Sequence, residues 1–264
     1  MQMPNADNDL FNFKEKDIWV FGGAGYLGQA TVRLLARLGA QTLCVDLGDR
    51  AEIFVKKAGL MTVDPAGFDI SNTSASEQFV ADQIALRGVP DGYVNLTTAT
   101  TAKKMEVLTA EDFDSVNHGG LTATFILTRA IGTQMALASG GSIVLFSSMY
   151  GSVSPYPEVY LEPMNKNPIE YGIGKAGITQ MTRYLAVHWG KSNVRCNCIS
   201  PGPFPNPDVQ KNHGDFVQRL EAKSPMGRVG NADEIAGAVA FLLSGAASYI
   251  TGHDLVVDGG WTSW

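Results

Sequence analysis

The chain is poor in cysteine, in histidine and in positive charge, and each shortage excludes something. Three cysteines among 264 residues (Cys44, Cys196 and Cys198) are an odd, sparse set. They cannot form a disulfide framework and read as reduced thiols of an intracellular protein. Cys196 and Cys198 share one face of a predicted strand, but no second Cys/His pair has ligand spacing. Buried apolar thiols are therefore expected, and no metal site. The four histidines, His118, His188, His213 and His253, show neither metal spacing nor a nucleophile to pair with. Only His213 stands as an outside candidate for substrate contact. A formal net charge of −6 disfavours nucleic acid as a partner. No apolar run approaches the ~18 residues of a membrane span. Residues 1–9 are polar and acidic, without the regions of a signal peptide. The expectation is a cytoplasmic protein with no membrane partner.

Glycine and alternating apolar segments are abundant. The 29 glycines and 45% hydrophobic content suit one globular α/β domain over residues 1–264. Strand-like runs fall at 18–21, 42–45, 92–96, 142–146, 194–199 and 254–257. Helical patterns lie between them at 26–38, 75–86, 110–135, 169–188 and 232–243. Ser74 with Glu77 reads as a capping box for the second of these helices. Near-continuous apolar strands alternating with helices predict a doubly wound parallel sheet with helices on both faces. Residues 1–15 are expected to be flexible. Residues 149–168 and 201–225 read as long irregular loops that follow strands, so they should lie at the carboxyl edge of the sheet and contact substrate.

Two local patterns carry chemistry. Gly22, Gly25 and Gly28 recur at three-residue intervals between the first strand and first helix. Such glycines permit a tight turn and let a pyrophosphate approach the backbone, with the helix N-terminus supplying N–H groups. Asp46 ends the second strand, where a carboxylate can accept from adenosine ribose hydroxyls and repel a 2′-phosphate. NAD is expected over NADP, although Arg50 nearby is a competing signal. Tyr171 and Lys175 stand at i and i+4 on one predicted helix, so their side chains share a face. A neighbouring ammonium favours the phenolate, which is one way a tyrosine becomes an acid or base.

The glycine loop, Asn117, Ser148, Tyr171 and Lys175 together resemble the short-chain dehydrogenase/reductase family. The resemblance runs from about Lys16 to the C-terminus. It is supported by Asp91-Gly92-Tyr93-Val94-Asn95, Ser200-Pro201-Gly202-Pro203, Pro225-Met226-Gly227-Arg228-Val229-Gly230 and Val257-Asp258-Gly259-Gly260. It implies a Rossmann-like fold and hydride exchange between NAD(H) and a secondary alcohol or ketone. By the same resemblance Tyr171 exchanges the hydroxyl proton, while Lys175 lowers the Tyr171 pKa and holds the nicotinamide ribose. Ser148 donates to the substrate oxygen, and Asn117 holds a relay water. Ser147 faces the opposite way if the strand persists. Gly22, Gly25, Tyr26, Leu27, Gly28, Asp46, Asp69, Asn95, Pro201 and Gly202 would contact the dinucleotide, together with Tyr171 and Lys175. Asp69 reads equally as a turn cap and Asn117 as a backbone-bonded helix amide. A homotetramer or dimer is also implied, with the helices of Asn117 and Tyr171 at an interface.

Some residues depart from the family pattern. Phe21 precedes the glycines in place of threonine, and Leu96-Thr97-Thr98 follows Asn95 in place of Ala-Gly. Asn206 lies near the position of a threonine that contacts the nicotinamide amide. The stretch between Ser148 and Tyr171 is longer than usual, and it resembles members from bacterial surface-sugar and flagellin-glycan pathways. Tyr150, Tyr160, Phe204 and Asn206 are candidate substrate contacts, since aromatic faces mixed with amides suit a polyhydroxylated ligand. Two alternatives stand beside the oxidoreductase: a nucleotide-sugar epimerase or dehydratase with retained NAD, and a non-catalytic dinucleotide-sensing protein.

Overall fold

The computed structural model describes residues 10–138, 140–162 and 164–264. Its strands are β1 (Asp17–Phe21), β2 (Gln41–Asp46), β3 (Val63–Gly67), β4 (Gly92–Asn95), β5 (Gly141–Phe146), β6 (Val194–Pro201) and β7 (Asp254–Val257). They form one parallel sheet in the order β3-β2-β1-β4-β5-β6-β7. The helices are α1 (Tyr26–Arg37), α2 (Arg50–Ala58), α3 (Thr73–Arg87), α4 (Ala110–Asn117), α5 (Ala123–Leu137), α6 (Ile169–Trp189), α7 (Pro207–Asn212), α8 (Gly214–Lys223) and α9 (Ala232–Leu243). This is the doubly wound, Rossmann-like architecture. The strand order reverses between β1 and β4, and that switch point opens a crevice above their carboxyl ends.

Strand side chains alternate between two apolar layers. Val20, Cys44, Val94, Val144 and Ile199 point toward α1 and α9, where Val32, Leu35, Ile235 and Val239 meet them. Trp19, Leu43, Tyr93, Ile143, Leu145, Cys196 and Cys198 point the other way, toward Leu127, Ile131 and Met135 of α5 and Leu185 and Trp189 of α6. Burying one such side chain contributes about 2 kcal/mol. That outweighs the ~0.5–1 kcal/mol cost of a glycine inside a helix, and Gly132 of α5 shows the exchange. A Cβ there would overlap the Trp189 indole, which crosses α5 at that point.

The structure corrects several local expectations. α2 and β3 are additional elements; β3 carries Pro65, which an edge strand tolerates. α3 begins at Thr73 with Asn72 at its N-cap, and Ser74 Oγ donates to Asn72 Oδ1 (2.9 Å) instead of capping. Intact capping boxes occur at Thr109/Asp112 and Asn231/Glu234. The helix expected over 110–135 is interrupted by a π-helical turn at His118–Thr122, where Gly119 and Gly120 fall. Much of the 201–225 stretch is helical, as α7 and α8, because Asn206 caps α7 and Pro207 takes its first position. Residues 1–9 of the stretch expected to be flexible lie outside the described residues. The remainder is anchored: Phe13 is buried, and Gly245 N–H donates to Leu10 O (3.1 Å).

Candidate active site

Gly22 follows β1 directly, and its N–H donates to Val45 O of β2 (2.8 Å). Its φ of +77° suits glycine, and a Cβ would stand 3.1 Å from the backbone of Leu96 and Thr97. A Cβ on Gly28 would overlap the Gly22 carbonyl oxygen. These two positions bring the start of α1 against the loop. Tyr26 and Leu27 open α1, whose first turn carries no acidic side chain. Its N-terminus, with unpaired N–H groups and the positive end of the helix dipole, begins beside Gly22 and Gly25, which line the crevice.

Asp46 closes the same crevice. Its Oδ2 accepts from Ala24 N–H (2.9 Å) and Oδ1 from Leu47 N–H (2.9 Å). Arg50 Nη1 lies 3.2 Å from Asp46 Oδ1, with the arginine half exposed. Asp69 Oδ1 accepts from Ser71 N–H (2.9 Å) and Oγ (2.7 Å), so it is at least a turn cap. Gly22, Gly25, Asp46, Arg50, Asp69 and Leu96–Ala99 line a cavity of about 340 Å³. The glycine approach, the free helix end and this cavity fit an adenine dinucleotide. Asn95 braces the neighbourhood: its Oδ1 accepts from Thr97 N–H (3.0 Å) and Oγ1 (2.6 Å), and its Nδ2 donates to Thr124 Oγ1 (3.1 Å). Pro201 ends β6, and Gly202 N–H donates to Val257 O (2.9 Å), locking that corner to β7.

Ser148, Tyr171 and Lys175 converge beyond β5. The two serines do point apart. Ser147 Oγ donates to Lys175 O (2.8 Å) and accepts from Thr179 Oγ1 (2.9 Å), which fixes the strand to α6. Ser148 Oγ accepts from Tyr150 N–H (3.1 Å) and stands near enough to the Tyr171 phenol to lower its pKa. Lys175 is buried, donates from Nζ to Phe146 O (2.8 Å) and sits 5.6 Å from the centre of the Tyr171 ring. Burial lowers its pKa to about 8. The expected lowering of Tyr171 is corrected: burial raises its pKa, and the Ser148 hydrogen bond works in the opposite direction. Removing water from around the phenolate is the largest influence on this group. Asn117 Nδ2 donates to Phe113 O (3.0 Å), the backbone-bonded arrangement, while Oδ1 faces Gly174.

A second, larger cavity of about 750 Å³ adjoins this cluster. It is lined by the 149–168 stretch, by Lys103 and Lys104, and by Gly172 and Ile173 of α6. Tyr150 and Tyr160 line it, with their hydroxyls hydrogen-bonded to each other. Burial raises both phenols, and both pack in one cluster with Tyr171 and Phe216. The other two candidate substrate residues are not brought there. Phe204 packs against Gly230, and Asn206 Oδ1 accepts from Val209 N–H (2.9 Å) at the start of α7. Nearby, the Lys223 ammonium sits over Tyr156 (5.3 Å), Trp261 (5.7 Å) and Trp264 (4.8 Å), joining α8, the long loop and the C-terminal turn.

A family model described as enoyl-(acyl carrier protein) reductase matches residues 23–262. The chain belongs to the short-chain dehydrogenase/reductase family. Among its relatives, the 7alpha-hydroxysteroid dehydrogenase of Bacteroides fragilis is 29% identical over 95% of each chain. The NADP-dependent mannitol dehydrogenase of Hypocrea jecorina is 32% identical, covering 99% of this chain and 98% of its own. A short-chain dehydrogenase from Leptospira borgpetersenii solved with bound NAD+ superposes with a TM-score of 0.83 at 28% identity, over 99% and 98% of the two chains. As a short-chain dehydrogenase/reductase, the protein is an oxidoreductase of hydride transfer. Among the described residues, no group of acidic, His or Cys side chains could hold a metal ion. The three cysteines are buried and free, and burial pushes the Cys44 and Cys198 thiols up to about 12. No described helix is long and apolar enough to cross a membrane.

Sequence reasoning passed over Thr101 and Glu170. Glu170 is fully buried beside Tyr171 and accepts from Thr101 Oγ1 (2.6 Å). An acid in the first turn of a helix ordinarily reads as a dipole partner, so its sequence position alone gave no signal.

Proposed function

We propose that this protein interconverts a secondary alcohol and its ketone on a polyhydroxylated, sugar-like substrate, using NAD(H) in preference to NADP(H). The observation that carries the reading is the convergence of Ser148, Tyr171 and Lys175 beside a roomy, mixed aromatic and amide cavity. A bound nicotinamide supplies the hydride acceptor or donor. Ser148 Oγ orients the substrate oxygen and donates to it as negative charge develops. The Tyr171 phenol takes the hydroxyl proton in oxidation and returns it in reduction. Lys175 is held beneath the Tyr171 ring by Phe146 O, where its charge favours the phenolate once Tyr171 loses its proton. Asn117 is proposed to hold a relay water. Tyr150, Tyr160 and Asn165 suit a polyol, whose C–H faces stack on rings while its hydroxyls pair with amides.

Asp46 supports NAD: its carboxylate at the end of β2 would oppose a 2′-phosphate. Arg50 is already paired with it. We also propose a homo-oligomer, a tetramer or dimer, in keeping with the exposed apolar side chains Phe125, Tyr184 and Val187 on α5 and α6. Light scattering on the purified protein checks that assembly.

The catalytic test pairs wild type with Tyr171→Phe on a polyol panel that includes D-mannitol, followed by NADH absorbance. The variant is expected to bind NADH nearly as wild type and to lose most turnover. Retained turnover would eliminate Tyr171 as the proton-exchanging group. Substrate conversion with no net NADH formation would move the reading to epimerisation. Tight NADH binding with no turnover across the panel would favour a sensing protein.

A further inference from the structure

The segment 96–104 links β4 to α4 and borders both cavities. Its first half, Leu96–Ala99, lines the 340 Å³ dinucleotide pocket, and its second half, Lys103 and Lys104, lines the 750 Å³ cavity. One side chain pins its middle. Thr101 Oγ1 donates to Glu170 Oε1 (2.6 Å), with Thr101 N–H at 3.4 Å from the same oxygen. The Thr101 hydroxyl also accepts from Lys103 N–H (3.2 Å), so this single group shapes the turn that follows. Ala102 adopts φ +56°, the left-handed region that a non-glycine residue rarely enters. Its carbonyl accepts from Asn165 Nδ2 of the long loop (3.1 Å).

Glu170 is an expensive way to make that bond. It is fully buried, and its second oxygen, Oε2, is buried with no hydrogen-bond partner. A carboxylate in such a place is costly to bury. Packing alone would be served by an apolar residue. The α6 N-terminus offsets part of that cost, since Glu170 lies in its first turn. Tyr171 is the next residue on the helix. The segment that begins with the departure Leu96-Thr97-Thr98 is tied at Thr101 to Glu170 and at Ala102 to Asn165 of the lengthened loop.

We propose that Glu170 is a positioning residue: through Thr101 it holds segment 96–104 so that the dinucleotide pocket and the substrate cavity are shaped as one unit. The substrate half of this inference rests on the polyol reading above; the dinucleotide half does not. The test uses the full chain with Thr101→Val, Thr101→Ser and Glu170→Leu. NADH affinity is read by fluorescence titration, D-mannitol kinetics by NADH formation, and folding by thermal melting. Thr101→Val and Glu170→Leu are expected to weaken NADH binding about fivefold or more and to raise the KM for D-mannitol about tenfold with kcat changed less than about threefold. Thr101→Ser keeps the hydroxyl and should restore both. Wild-type affinity and KM in Thr101→Val, with only a lowered melting temperature, would overturn the proposal and leave a packing role. If wild type turns over no polyol, the polyol reading fails by itself. The NADH titration then decides: weakened binding rescued by serine supports the pin, and unchanged binding overturns it.

Discussion

Replacing Lys175 by methionine removes a cation that the fold holds at a cost, and the size of that cost depends on pH. The native lysine titrates at about 8, against 10.5 for the free side chain, because burial disfavours its charge. Below about pH 8 the lysine is charged in both folded and unfolded chains, and the penalty is full. Between about 8 and 10.5 the native lysine has released its proton while the unfolded one keeps it, so stability rises with pH. Above that window the penalty is gone. At ~1.4 kcal/mol per pH unit the burden is about 3 kcal/mol near pH 7 and about 1.4 kcal/mol near pH 9.5. The methionine variant lacks it throughout. It leaves Phe146 O without its donor, an expense of ~1–3 kcal/mol that does not vary with pH. Wild type should therefore gain about 2 kcal/mol on Lys175→Met between those two pH values. Urea unfolding of both proteins at equal concentration, without dinucleotide, measures the difference. Two stability curves that run parallel in pH would refute the reasoning. The variant should also lose turnover, a result that would mark the cation as costing stability and kept for chemistry.

Ser148→Ala should reduce kcat by roughly 10²–10³-fold while NADH affinity holds, since one donor to the developing charge is lost; stopped-flow turnover with an NADH titration checks both. Gly28→Ala should abolish measurable NADH binding, because its Cβ would collide with Gly22 O in the glycine turn proposed to hold the pyrophosphate. Asp46→Asn keeps an acceptor for Ala24 N–H but removes the charge proposed to oppose a 2′-phosphate. Its ratio of NAD+ to NADP+ kcat/KM should fall about tenfold or more, in line with the several kcal/mol of like-charge juxtaposition. Gly132→Ala should cost about 1–3 kcal/mol in urea unfolding, since the Trp189 indole would have to move.

What could be read in the sequence was whatever depends on neighbours along the chain. The glycine spacing, Asp46 at a strand end and the i, i+4 pair of Tyr171 and Lys175 are local patterns, and the structure places them at one edge of the sheet. Strand alternation indicated that Ser147 and Ser148 face opposite ways, as the hydrogen bonds of Ser147 to α6 show, while the choice of Ser148 came from its family position. Properties that arise from burial were not readable. The direction of the Tyr171 pKa depends on what covers the ring, which the i+4 lysine does not reveal. Pro65 hid β3, because its acceptability depends on being at the sheet edge. Prolines also concealed α7 and α8, where Pro207 starts a helix instead of breaking one. Glu170 stayed invisible because its partner Thr101 is distant along the chain.

The Lys223 ammonium among Tyr156, Trp261 and Trp264 gives the protein a built-in optical reporter. The chain has four tryptophans, and Trp19 and Trp189 are locked in the core. The remaining pair flanks the cation where α8 meets the long loop, with Trp264 largely exposed. A shift of α8 or of that loop changes the charge beside buried Trp261 and exposed Trp264 and leaves Trp19 and Trp189, in the core against the sheet, unaffected. Emission from the unlabelled protein should thus register any ligand that displaces α8 or that loop, with Lys223→Met as the silent control.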